Sequence, residues 1–67
     1  MLYSAYRFTA VHAKALYSYT GASAEEATFS EGDELLVIDQ NDANWWRVDL
    51  GGSKVLIAPA MYLELIG

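Results

Sequence analysis

The sequence predicts an all-β domain: a small, strongly bent antiparallel barrel of five short strands. Three observations carry this reading. The apolar runs are short and rich in β-branched or aromatic residues, with no stretch at helical spacing. Turn-forming residues separate them, at Ser30 to Glu34, at Asp39 to Asn44 and at Gly51-Gly52. The single proline, Pro59, stands at the end of one run, where its missing N–H does least harm to a ladder.

Taken in order, residues 1–12 read as an N-terminal extension and residues 13–67 as the folded domain. Tyr6, Phe8 and Ala10 alternate with Arg7, Thr9 and Val11, which suggests an extended segment that either lies against the domain or trails from it. His12, the only histidine, is expected on the surface. Ala15-Leu16-Tyr17-Ser18-Tyr19 alternates, so an inward Leu16 puts Tyr17 and Tyr19 together on the other face. The small, polar run from Thr20 to Thr28 reads as a long hairpin loop carrying Glu25 and Glu26 near its far side. Ser30 to Glu34 is a turn in which Gly32 tolerates positive φ and Asp33 can bond its own backbone ahead. Leu35 to Ile38 is a buried strand, followed by a polar connection and a strand from Trp45 to about Leu50. Gly51-Gly52 signals a tight hairpin. Ser53 to Ala58 pairs back through Lys54 to Ile57, Ala60 to Tyr62 makes about one helical turn, and Leu63 to Ile66 is the last strand.

The adjacent tryptophans are the most informative pair. Successive side chains of a strand point to opposite faces. One indole therefore enters the core and the other stays outside, unless a bend or a wide core buries both. A large apolar side chain left in water forgoes roughly 1.5–3 kcal/mol. Something is expected to cover the outer ring for part of the time.

Composition narrows the function further. A domain of 67 residues buries only about 60% of its unfolded surface, so packing must be efficient. Apolar residues make up 54% and aromatic residues 13%, enough for a compact core. There is no cysteine to form a disulfide, and one histidine cannot make a zinc-ligand cluster. A formal net charge of −5 argues against nucleic acid or an anionic membrane and favours a basic partner. No apolar run approaches a membrane span, so a cytoplasmic module, monomeric in isolation, is expected. Catalysis is not: no phosphate cradle or nucleophile–base set is present, and Glu25 and Glu26 diverge on an extended loop. No cofactor or metal is called for.

ALYSY (15–19), EEATFSEGDEL (25–35), NWW (44–46) and APAMYLEL (58–65) occur in the order and spacing of a Src-homology 3 (SH3) domain. The resemblance covers about residues 13–66. It implies a five-stranded SH3 barrel of two packed antiparallel sheets, with a 3-10 turn before the last strand. It also implies an RT loop (Tyr19 to Thr28), an n-Src loop (Asp39 to Asn44) and a distal hairpin at Gly51-Gly52. The implied activity is non-enzymatic binding of proline-rich (PxxP) segments in polyproline II form. Adaptor, scaffold, cytoskeletal and signalling proteins carry such domains, and fold-level analogy leans towards the cell cortex.

By the same resemblance, Trp45 takes the ligand-facing role and Trp46 the structural one. Tyr17, Tyr19, Pro59, Met61 and Tyr62 complete the peptide-binding groove. A polyproline II helix has three residues per turn and no internal hydrogen bonds. Its prolines slot between flat rings while its carbonyls accept bonds from Trp and Tyr donors. Glu26 matches the acidic position that pairs with an Arg or Lys flanking PxxP, with Glu25 beside it and Asp42 across from it. Exposed ion pairs are weak, so these acids orient a ligand more than they hold it.

Three departures stand out. Ser18 replaces the usual Asp, with local effect. Leu56 replaces a common Gly, so the backbone there is expected to differ. Met61 replaces an Asn whose amide bonds a ligand carbonyl; methionine cannot make that bond but can widen the apolar wall. This points to weaker PxxP binding, to a ligand with an apolar residue opposite Met61, or to a groove that takes a folded partner or the chain itself.

Overall fold

A computed structural model describes residues 11–52 and 54–66. The segment from Tyr6 to Ala10 lies outside them. Five strands form: β1 (Val11–Ala15), β2 (Glu34–Asp39), β3 (Trp45–Asp49), β4 (Val55–Pro59) and β5 (Leu63–Ile66), with a 3-10 turn, Ala60–Tyr62, before the last. All neighbours are antiparallel, in the order β4-β3-β2-β1-β5. The sheet wraps round one core fed by every strand, as the five-strand barrel requires.

Alternation explains what enters that core. Ala13 and Ala15 of β1, Leu35 and Val37 of β2, Val48 of β3, Ala58 of β4 and Leu63 of β5 are buried. Ala27 and Phe29 join them from the long loop after β1. Four of these residues are alanines with at most 1% exposure, so the sheet halves approach closely. Leu36 and Ile38 are half-buried on the other face of β2, which is therefore buried on one side rather than both.

Leu16 does not point into the core. It is 37% exposed, and Ala15 takes the inward position. The alternation stops because β1 ends at Ala15, after which the Leu16 N–H turns to the Tyr62 carbonyl at 2.8 Å. The turn before β2 differs in one detail. The Asp33 carboxylate accepts from the Ser30 N–H behind it at 2.9 Å, instead of bonding ahead.

The distal hairpin is wider than two glycines. Asp49 pairs with Val55, which leaves residues 50–54 as the loop. Gly51 has positive φ, at 113°, but the register leaves more residues between the strands than the two of the tight primed turn expected. The Asp49 carboxylate closes the corner by accepting from the Gly51 N–H at 2.7 Å. Leu56 sits in an unbroken register opposite Val48 and packs against the core, so the missing glycine leaves no irregularity there.

Candidate functional site

β3 divides the two tryptophans as alternation requires. Trp46 lies on the face of Val48 and packs against the core, whereas Trp45 turns outward, half-buried, opposite Pro59 of β4. Pro59 has no N–H to offer. The next residue supplies the tie, with the Ala60 N–H donating to the Asn44 carbonyl at 2.9 Å. The 3-10 turn thereby fixes Tyr62 beside the start of β3.

From Trp45 a row of rings runs across the surface. Tyr19 meets Trp45 edge-on at 6.4 Å between centroids, Tyr62 meets Tyr19 at 5.4 Å, and Tyr17 meets Tyr62 at 5.5 Å. Such edge-to-face contacts hold aromatic planes at steep angles to one another. Clefts between rings are what a ridged extended chain can enter. Tyr17 is 58% exposed and Met61 81% exposed. The Tyr17 and Tyr62 hydroxyls and the Trp45 indole N–H make no hydrogen bond to another described residue, and they remain available as donors.

Tyr19 is different. Its hydroxyl donates to Oε1 of Glu26 at 2.6 Å, and the Ala22 N–H donates to the same oxygen at 2.8 Å. These bonds hold the Glu26 carboxyl below its ordinary value, the Ala22 N–H contributing most, and the Glu26 bond holds the Tyr19 hydroxyl above its own. The Tyr19 proton is thus committed within the protein.

The loop that carries Glu26 is positioned by pairing at both ends. Tyr19 and Phe29 exchange backbone bonds at 2.9 Å, and Glu26 forms a parallel bridge to Ile57 of β4. Ser18, the substituted position, accepts from the Glu31 N–H at 2.9 Å, a local tie at the loop base. Glu25 is exposed, with Oε1 accepting from the Ser23 hydroxyl at 3.1 Å. In the other loop, Oδ1 of Asp42 accepts from the N–H groups of Asn44 and Trp45 at 2.8 and 3.1 Å.

A hollow of about 400 Å³ opens beside Trp45, lined by Asp39, Asn41, Asp42, Trp45, Arg47 and Ile57. Of the three acids expected there, Asp42 lines it, and Glu25 and Glu26 do not; Glu26 is joined to the lining residue Ile57 by a backbone bridge. Four of its lining residues, Asp39, Asn41, Arg47 and Ile57, are not among the site residues read from the sequence. Arg47 follows Trp45 at the strand period of two and so shares its face. Ile57 pairs with Arg47. The guanidinium Nε lies 4.0 Å from Asp39 and the side chain is 63% exposed, so a cation already occupies part of this wall. Among the described residues no group of three or more His, Cys, Asp or Glu side chains converges on a metal position, and no helix is long and apolar enough to cross a membrane.

The chain matches the family model described as SH3 domain over residues 14–60. It is 44% identical over 54 residues to the myosin ID heavy chain of Dictyostelium discoideum, covering 81% of this chain and 5% of that protein. It is 46% identical over 50 residues to the actin cytoskeleton-regulatory complex protein SLA1 of Yarrowia lipolytica, covering 75% of this chain and 4% of that one. The chain therefore spans about one-twentieth of the length of such relatives. Two solved structures superpose closely. The Acanthamoeba myosin I SH3 domain bound to Acan125 has a TM-score of 0.77 at 39% identity, covering 84% of this chain and 95% of that one. The C-terminal SH3 domain of myosin IB from Entamoeba histolytica, bound to an EhFP10(GEF) peptide, has a TM-score of 0.77 at 35% identity, covering 85% and 93%.

Proposed function

The chain belongs to the SH3 domain family of non-catalytic protein-interaction modules, and on that premise we propose that it binds proline-rich segments carrying a flanking Arg or Lys. The observation that carries this reading is the row of steeply angled rings from Tyr17 to Trp45, continuous with a hollow bordered by carboxylates. In this reading the prolines enter between Tyr17, Tyr62, Tyr19 and Trp45, with Pro59 as floor. Ligand carbonyls accept from the Trp45 indole and the Tyr17 and Tyr62 hydroxyls. The ligand is stiff before it binds, so little ordering entropy opposes association. The basic flank lies against Trp45, near Asp42 and Glu26. The parent protein, in this proposal, acts at the actin cytoskeleton, a reading supported by the likeness to the myosin ID heavy chain and SLA1.

The test is an NMR amide titration with two PxxP peptides, one with Arg at each end, beside an Ala-for-Pro control. Shifts at the Trp45 indole N–H and at Tyr17, Glu26 and Tyr62, absent with the control, are expected. No shifts at millimolar peptide would overturn the reading and point to a non-PxxP or folded partner, which the exposed Met61 favours. Met61→Asn adds the amide that methionine lacks. One regained hydrogen bond should tighten an ordinary PxxP peptide by roughly three- to tenfold. Unchanged or weaker binding would show that Met61 is not standing in for a missing bond.

A further inference from the structure

The bond between Tyr19 and Glu26 joins two parts of the surface that a groove of rings and a pocket of acids would not by themselves require to be joined. Oε1 of Glu26 takes both the Tyr19 hydroxyl and the Ala22 N–H, while Oε2 has no hydrogen bond from a described residue. The carboxylate is thus pinned by one oxygen and offers the other. Asp42, in the lining of the hollow, repeats the arrangement, with Oδ1 held by Asn44 and Trp45 and Oδ2 left over. The anchors differ in kind. Asp42 is pinned by its own neighbours in the chain. Glu26 is pinned by a ring that also touches Trp45 and Tyr62.

We propose that the Tyr19 hydroxyl is a positioning group that sets the module's preference for a basic ligand residue, by fixing Glu26 without touching the cation. This rests on the reading of the groove as a proline-rich site with a basic flank. A free Glu side chain samples several rotamers, and ordering it on binding would cancel much of the small gain of an exposed pair. With the rotamer fixed beforehand, that cost is already met in the free protein. The ring that fixes it is itself a wall of the proline cleft, so filling the cleft and reading the charge become one coupled event.

The experiment compares two peptides differing only by Arg or Ala at the flank, against the unaltered protein, Tyr19→Phe and Ser23→Ala. The readout is the ratio of the two dissociation constants, which is insensitive to a general weakening of the groove. The unaltered protein and Ser23→Ala should favour Arg by roughly two- to fivefold. In Tyr19→Phe the ratio should fall close to one. In parallel, the Glu26 carboxyl, followed by NMR in the free protein, should titrate nearer its ordinary value in Tyr19→Phe. An undiminished ratio in Tyr19→Phe overturns the proposal, as does a lowered ratio with the Glu26 titration unmoved. Equal binding of both peptides by the unaltered protein overturns it while leaving the proline groove standing. Binding of neither removes the groove reading, and the proposal with it.

Discussion

The loop of residues 20–28 is held by partners far away in the chain, whereas that of residues 40–44 is held almost wholly by itself. The first is zipped to β4, with the Ala27 N–H on the Ile57 carbonyl at 2.8 Å and the Ile57 N–H on the Glu25 carbonyl at 2.9 Å. In the second, Asp39 accepts from the Asn41 N–H at 2.7 Å and Asp42 from Asn44 and Trp45, each within three residues. Among the described residues, the Asn44 carbonyl, bonded by Ala60, is that loop's hydrogen bond to a distant segment. Each loop carries a carboxylate of the site, Asp42 in the hollow beside Trp45 and Glu26 on the Tyr19 hydroxyl. The first loop adds tertiary pairing with β4 to its own local bonds, whereas the second rests on local turn chemistry, so the two should respond differently to damage.

Substitution at Gly21 should have the largest effect. A Cβ there would lie 2.5 Å from the Glu26 carbonyl oxygen and 2.9 Å from its carbonyl carbon, a collision with backbone that no rotamer relieves. Gly21→Ala must spread the two arms of the loop, and overpacking of this kind costs about 1–3 kcal/mol. We expect a lower denaturant midpoint and at least a tenfold loss of affinity for Arg-flanked PxxP peptides. Wild-type affinity would show that the bracing of this loop is irrelevant to the site.

Acid should release the same bracing by another route. Glu26 titrates below its ordinary value of 4.5 because the Ala22 N–H and the Tyr19 hydroxyl favour its charged form. Its stabilising contribution is therefore complete above that ordinary value and disappears as pH falls through the lower, folded one. The Ala22 amide should lose protection from hydrogen exchange over that window. The Ala27 amide, bonded to the Ile57 carbonyl, serves as the non-titrating reference. Parallel loss at both amides would mean that the loop opens as a unit and not through Glu26.

The contrast between the loops also explains what the sequence made legible. Strand positions, the 3-10 turn and the split of the tryptophans follow from period-two alternation and the stop at Pro59, which are local signals. Asp39 and Asp42 bond their own backbone just ahead, as turn aspartates do. The bridge from Glu26 to Ile57 joins residues remote in the chain, and nothing in either segment announces it. Leu16 is not inward because β1 ends at Ala15 and the alternation of the strand stops there. The hairpin was misread because Gly-Gly suits several turns, and the buried Asp49 carboxylate, bonded to the Gly51 N–H, takes part in closing this one. Arg47 was overlooked although its spacing from Trp45 was in plain view.

Asp42→Ala should have a moderate effect confined to the second loop. It removes the acceptor of two N–H groups at the entry to β3, both exposed enough for water to take its place. About 1 kcal/mol of stability is at stake. Affinity for Arg-flanked peptides should fall by about two- to fivefold, with chemical-shift changes limited to Asn41 through Trp45. Changes spreading to Ala22 or Glu26 would show that the two loops are coupled after all.

The smallest effect expected is at Arg47, and its sign is the point. Arg47 shares the hollow with Asp42 and Trp45, where a ligand guanidinium is expected, so the two cations compete for one patch of acids. Asp39, 4.0 Å from the Arg47 Nε, offsets part of that charge, and solvent screens more of it. Arg47→Ala should therefore tighten an Arg-flanked peptide by no more than about threefold, leave its Ala-flanked counterpart unchanged, and lose the gain in high salt. Weaker binding of both peptides would carry the opposite lesson. The aliphatic stem of Arg47 would then be a wall of the hollow, valued for its packing and not for its charge.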